Sequence, residues 1–201
     1  ALAELRGGKI DKITIPEGTS VADIAAILKS NFPLFNSKEF LSKARDQEGY
    51  LFPDTYYFMA NTPVDDIIKK LRTTFDQKMG SLRITIDTFN RPFDEVVTMA
   101  SILEGEARQY ETRRIVAGIL WKRIEIGMPL QVDATFKYIN GKGSAELTMA
   151  DLKIKSPYNT YVNKGLPPTP ISNPGYDAIK AALNPKSNPY IYFLTAKDGE
   201  M

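Results

Sequence analysis

Apolar and polar positions change period several times along the chain, and each change predicts an element. Lys9 to Ile15 alternates closely enough to predict a strand, and Pro16-Glu17-Gly18 turns it. Thr19 or Ser20 is then expected to cap a helix carrying Val21, Ile24, Ala25, Ile27 and Leu28 at helical spacing. Ser37 is the expected cap of a second short helix that buries Phe40 and Leu41. Glu48 to Phe58 reads as an aromatic-rich extended segment. Thr62 caps a long helix with Pro63 in its first turn, a stripe of Ile67, Ile68, Leu71 and Phe75, and Gly80 at its end. The expected organisation is a small strand-helix module over residues 1–61 and a mostly helical domain with short strands over 62–201.

Helices are predicted over 92–107 and 110–126, the second apolar around most of its circumference and expected at the centre of the core. Beyond Gly127 the pattern loosens. A helix from Thr148 to Leu152, a Pro- and Gly-rich loop from Ser156 to Gly175, a helix at 175–183 and a strand Tyr190 to Leu194 complete the chain. The fold class is α+β, without internal repeats.

Composition narrows the chemistry. Lys and Arg number 26 against 24 Asp and Glu, which gives no electrostatic case for nucleic acid. The short basic runs Lys69-Lys70 with Arg72, and Arg113-Arg114, read best as solvated helix faces. Cysteine and histidine are both absent, excluding a thiol nucleophile, Cys/His zinc, a Ser-His-Asp triad and histidine acid/base chemistry. No cofactor or metal is expected. Acid/base work falls to Asp, Glu, Lys or Tyr. No apolar stretch approaches the roughly 20 residues that span a bilayer, and no signal-peptide pattern opens the chain.

On a helical wheel from Pro92, Phe93, Val96, Val97, Ala100, Leu103 and Ala107 share one face, and Glu104 falls among them. Glu106 lands on roughly the opposite side. A carboxylate on an apolar stripe is desolvated, which favours its protonated form and suits a general acid. An ion pair to a nearby Arg or Lys inside the core explains the same position equally well. In the long loop, Ser156-Pro157-Tyr158-Asn159-Thr160-Tyr161 could stack on and hydrogen-bond a sugar, or be a rigid connector of packed tyrosines. Gln131-Val132-Asp133 sets polar side chains at alternate positions, and Asp133 reads as a helix N-cap with some cleft contact or as a second carboxylate.

Several stretches together resemble the endolytic murein transglycosylase, or YceG-like, family. They are Glu48 to Tyr56 (EGYLFPDTY), Met99 to Glu106 (MASILEGE), Gly127 to Thr135 (GMPLQVDAT), Ser156 to Tyr161 (SPYNTY), Gly165 to Pro168 (GLPP) and Ile171 to Gly175 (ISNPG). Their order and spacing cover about residues 10–200. The resemblance implies a LysM-like glycan-binding part ahead of a catalytic domain, and a membrane-anchored protein working on the extracytoplasmic (periplasmic) side. It implies Glu104 as the catalytic glutamate, the first Glu of the Ala-Ser-Ile-x-Glu-x-Glu run. Gln131, Asp133, Tyr158, Asn159, Thr160 and Glu106 are expected at the sugar subsites. Relatives of this kind also carry a transmembrane helix ahead of the part matched here and a His-x-Phe-like segment after the last strand. Both are expected to lie outside these 201 residues.

The implied reaction uses one glutamate. Glu104 protonates the oxygen joining N-acetylmuramic acid to N-acetylglucosamine, then accepts the proton of the muramoyl 6-hydroxyl as it attacks its own anomeric carbon. An internal nucleophile removes the need for the second carboxylate of an ordinary glycosidase. A hydrolytic muramidase recruiting Asp133 or Glu106 is an alternative. Others are a peptidoglycan-binding module without activity and a scaffold for penicillin-binding proteins and other wall synthases.

Overall fold

The computed structural model describes residues 10–194. Strand β1 (Ile10–Thr14) leads through the Pro16–Gly18 turn into helix α1 (Val21–Asn31), and α2 (Ser37–Ala44) follows. Strand β2 (Thr55–Met59) returns antiparallel to β1, pairing Ile10 with Met59 and Thr14 with Thr55. Because side chains alternate along a strand, Ile13 and its partner Tyr56 are buried while Lys12 and Tyr57 face solvent. Long helix α3 (Val64–Gly80) precedes α4 (Arg83–Thr88), α5 (Phe93–Glu106), α6 (Tyr110–Glu125), α7 (Ala134–Asn140) and α8 (Tyr176–Leu183).

Two apolar cores organise these elements. One gathers Ile13, Ile24, Leu28, Phe40, Tyr56 and Leu71 around the two-stranded sheet. The other surrounds α5, whose residues Val96 to Leu103 are all buried, and includes Val116, Leu120, Phe75 and Ile179. Each such aliphatic side chain contributes about 1.5–3 kcal/mol on burial. Helix α3 belongs to both cores, giving Ile67 and Leu71 to the first and Phe75 and Met79 to the second. A buried polar seam also joins them. Asn173, wholly inaccessible, donates to the Thr19 carbonyl (2.9 Å) and to Glu48 Oε1 (3.1 Å), and accepts from the Leu51 N–H (2.8 Å).

Helix ends follow from local chemistry. Ser20 caps α1 through a reciprocal pair with Asp23, each side chain accepting the other's backbone N–H at 3.1 Å. Glu48 adds a long-range cap by accepting the Val21 N–H with both oxygens at 3.1 Å.

Several expectations are corrected. Asn36, not Ser37, caps α2, and Leu41 is 41% exposed. Pro63 precedes α3, while Thr62 Oγ1 accepts from the Met59 N–H. The helix expected at Thr148–Leu152 shrinks to a 3₁₀ turn, Asp151–Lys153, because Thr148 and Asp151 bond to each other's backbone N–H. Tyr190–Leu194 forms no strand: Lys122 and Arg123 of α6 bind the Tyr190 and Ile191 carbonyls a partner strand would need. The most enclosed helix is α5, which explains why its wheel shows no clean polar face.

Candidate active site

A cleft of about 630 Å³ opens between the two parts of the molecule. Its walls are the turn and first residues of α1 (Glu17 to Asp23), the end of α5, helix α7 and the loop that follows it. Glu104 lies in this cleft. Close packing puts it there: a Cβ on Gly105 would come within 2.7 Å of Ala134 Cβ, so glycine lets α7 lie directly against α5. On the opposite wall a Cβ on Gly18 would be 3.3 Å from Glu104 Cγ.

The Glu104 carboxylate is held from two sides. Oε1 pairs with Arg113 of α6, and both side chains are only 7% exposed. Oε2 accepts the N–H of Gly175, the residue just before α8, at 2.9 Å. Arg113 is itself fixed by its Nε bond to the Ala107 carbonyl at 2.8 Å. Burial pushes the Glu104 carboxyl above the ordinary carboxylate range; Arg113 and the Gly175 N–H pull it down, and the charge of Glu17 pushes it up. The ion pair and the cleft position were alternatives in the sequence, and they coexist. Arg113 is therefore no solvated basic residue.

Glu106 is half-buried and engaged, although the wheel sets it on the opposite side. Its carboxylate accepts the Ala134 N–H at 3.0 Å and so caps α7. Burial, its largest influence, raises its pKa to about 7, with Asp133 adding to the rise. Asp133 occupies the cap position of α7 without a capping bond; it lines the cleft and accepts from the Tyr161 hydroxyl at 2.6 Å.

The other expected sugar ligands stand apart from Glu104. Asn159 is wholly buried, donating to the Leu152 and Ile154 carbonyls (3.1 and 2.8 Å) and accepting from the Tyr161 N–H (3.0 Å). Thr160, 2% exposed, accepts from the Val132 N–H at 3.1 Å. Those two side chains are spent on holding the loop. Gln131 is exposed outside the cleft wall, with a left-handed φ of 50° and its N–H on the Thr160 carbonyl. Tyr158 donates to or accepts from Thr169 at 2.7 Å and packs on Tyr138, whose ring lines the cleft 4.8 Å away. Tyr138 and Glu17 were missed. Tyr138 had no sequence signal, whereas Glu17 stood in the turn before a predicted helix, where an acidic residue usually only solvates. Among the described residues no group of three or more acidic side chains is placed to hold a metal ion.

A family model described as YceG-like matches residues 1–201. The chain belongs to the YceG-like family. It is 32% identical to an endolytic murein transglycosylase of Bacillus subtilis (strain 168) over 218 residues, covering 94% of this chain and 60% of that protein. It is 29% identical to an endolytic murein transglycosylase of Streptococcus pneumoniae serotype 2 (strain D39 / NCTC 7466), covering 96% and 43% respectively. The YceG-like chain thus spans roughly half the length of these curated relatives. A crystal structure of a YceG-like protein from Listeria monocytogenes superposes with a TM-score of 0.83 at 31% identity, covering 94% of this chain and 71% of that one.

Proposed function

We propose that this YceG-like chain is the catalytic part of an endolytic peptidoglycan lytic transglycosylase. It cuts the β-1,4 bond from N-acetylmuramic acid to N-acetylglucosamine inside glycan strands and leaves 1,6-anhydro ends. The supporting observation is one desolvated carboxylate in a cleft, with opposing influences on its proton. Burial and Glu17 favour the acid form of Glu104 that protonates the leaving oxygen. Arg113 and the Gly175 N–H stabilise the carboxylate left behind, which then takes the proton of the 6-hydroxyl. An acid that must become a base within one turnover needs both states within reach.

The N-terminal module forms one wall of the cleft, so a strand lying there touches both parts of the protein. A LysM-like role for residues 1–61, with the catalytic domain at 62–201, fits that placement. Cutting inside strands would end their elongation beside penicillin-binding proteins or other wall synthases. No helix among the described residues is long and apolar enough to cross a membrane, so a single-pass anchor and an extracytoplasmic (periplasmic) location rest on resemblance alone.

Hydrolysis is the competing reading, favoured by three further carboxylates, Glu17, Asp23 and Asp133, lining the same cleft. Digesting glycan strands in ¹⁸O-labelled water decides between them. Transglycosylation gives unlabelled anhydro ends, whereas hydrolysis gives reducing ends carrying the label.

A further inference from the structure

The N-terminal turn meets Glu104 more closely than a binding module requires. Gly18 abuts the Glu104 side chain, with room for a Cβ only 3.3 Å from Cγ. Glu17 reaches across to Gly175, where an added Cβ would overlap its carboxylate. The same Gly175 donates its N–H to Glu104 Oε2 at 2.9 Å. Two carboxylates thus converge on one glycine from different parts of the protein. Glu17 is exposed and Glu104 is enclosed, so their roles differ.

We propose that Glu17 is a positioning residue of the N-terminal module, its carboxylate set against Gly175 beside Glu104, so that the catalytic carboxyl is governed by both parts of the molecule. This deepens the transglycosylase reading and rests on it for its functional meaning. The charges around Glu104 are few. Arg113 of α6 touches it and favours its anion. Elsewhere in the cleft, Asp23 is engaged with Ser20, Asp133 with Tyr161, and Lys142 with Asp151, while Lys137 lies on α7. Burial is the main influence opposing Arg113, and the negative charge of Glu17 adds to it. It also gives position 175 a reason to be glycine, since any Cβ there displaces the Glu17 carboxylate while leaving the N–H to Glu104 intact.

The test is ¹³C NMR titration of the Glu104 carboxyl in the unliganded protein, with its signal assigned by loss in Glu104→Gln. Glu17→Gln should lower its midpoint by on the order of one pH unit, as removal of a nearby like charge does. Gly175→Ala should shift it the same way, and Glu17→Asp should recover part of the change. The alkaline limb of the kcat/KM profile for glycan cleavage should move to lower pH in parallel. A midpoint unmoved by Glu17→Gln, or a Glu104 ionised across the whole range in both proteins, overturns the proposal. Shifted midpoints in a protein that cuts no glycan would leave it standing and remove the transglycosylase reading instead.

Discussion

Replacing Arg113 with Met examines the buried pair at the site. Arg113 and Glu104 are each 7% exposed, so neither charge has water to fall back on. Removing one partner of such a pair costs about 3–5 kcal/mol when the other remains charged. Glu104 can escape part of that cost by binding a proton, because Arg113 is the chief influence lowering its pKa. The sign follows from linkage. A carboxyl whose folded pKa lies above its unfolded value makes the native state bind more protons, so stability falls as pH rises from the unfolded value through the folded one. Arg113→Met should therefore be mildly destabilised near pH 4.5 and progressively worse towards pH 8 in urea unfolding. Adding Glu104→Gln should recover most of the loss at the alkaline end and flatten the slope. Equal costs of Arg113→Met with and without Glu104→Gln, at every pH, would refute the coupling.

Three further outcomes are expected. Glu106, with a pKa raised to about 7, should erode stability between the ordinary carboxylate range and pH 7; Glu106→Gln should remove that slope, and Glu106→Leu should cost about 1–2 kcal/mol by uncapping α7. Asn173→Ala leaves the Leu51 N–H unpaired, whereas the Thr19 carbonyl keeps the backbone N–H of residue 173, so thermal unfolding should report a loss of about 1–3 kcal/mol, with faster proteolysis at the seam. Gly105→Ala brings a methyl against Ala134 and should push α7 outward, lowering glycan cleavage more than it lowers thermal stability.

Periodicity made α1, α3, α5 and α6 legible, because each buries a stripe dense enough to stand out from its polar residues. The short elements were harder. Asn36 displaced Ser37 as a cap because either residue can accept an N–H, and only backbone geometry chooses between them. Tyr190–Leu194 has strand composition, yet α6 supplies lysine and arginine side chains in place of a neighbouring strand. At the site, the wheel found Glu104 because burial of a carboxylate is visible as a break in an apolar pattern. It misplaced Glu106 because α5 is enclosed on nearly all sides, so opposite faces of the wheel are both interior. Asn159 had the chemistry to recognise a sugar amide, but the same donors and acceptor also suit a loop that must bind its own carbonyls. Glu17 could not be seen, since its approach to Gly175 spans most of the chain.

The account stands on Glu104 as the acid and base of strand cleavage. Purified protein and Glu104→Gln should be incubated with uncrosslinked glycan strands and the products read by mass spectrometry. Wild type is expected to release internal fragments with 1,6-anhydro ends, and Glu104→Gln, shown to be folded by its circular dichroism and a cooperative unfolding transition, none. Anhydro products formed by Glu104→Gln at an undiminished rate would contradict the account.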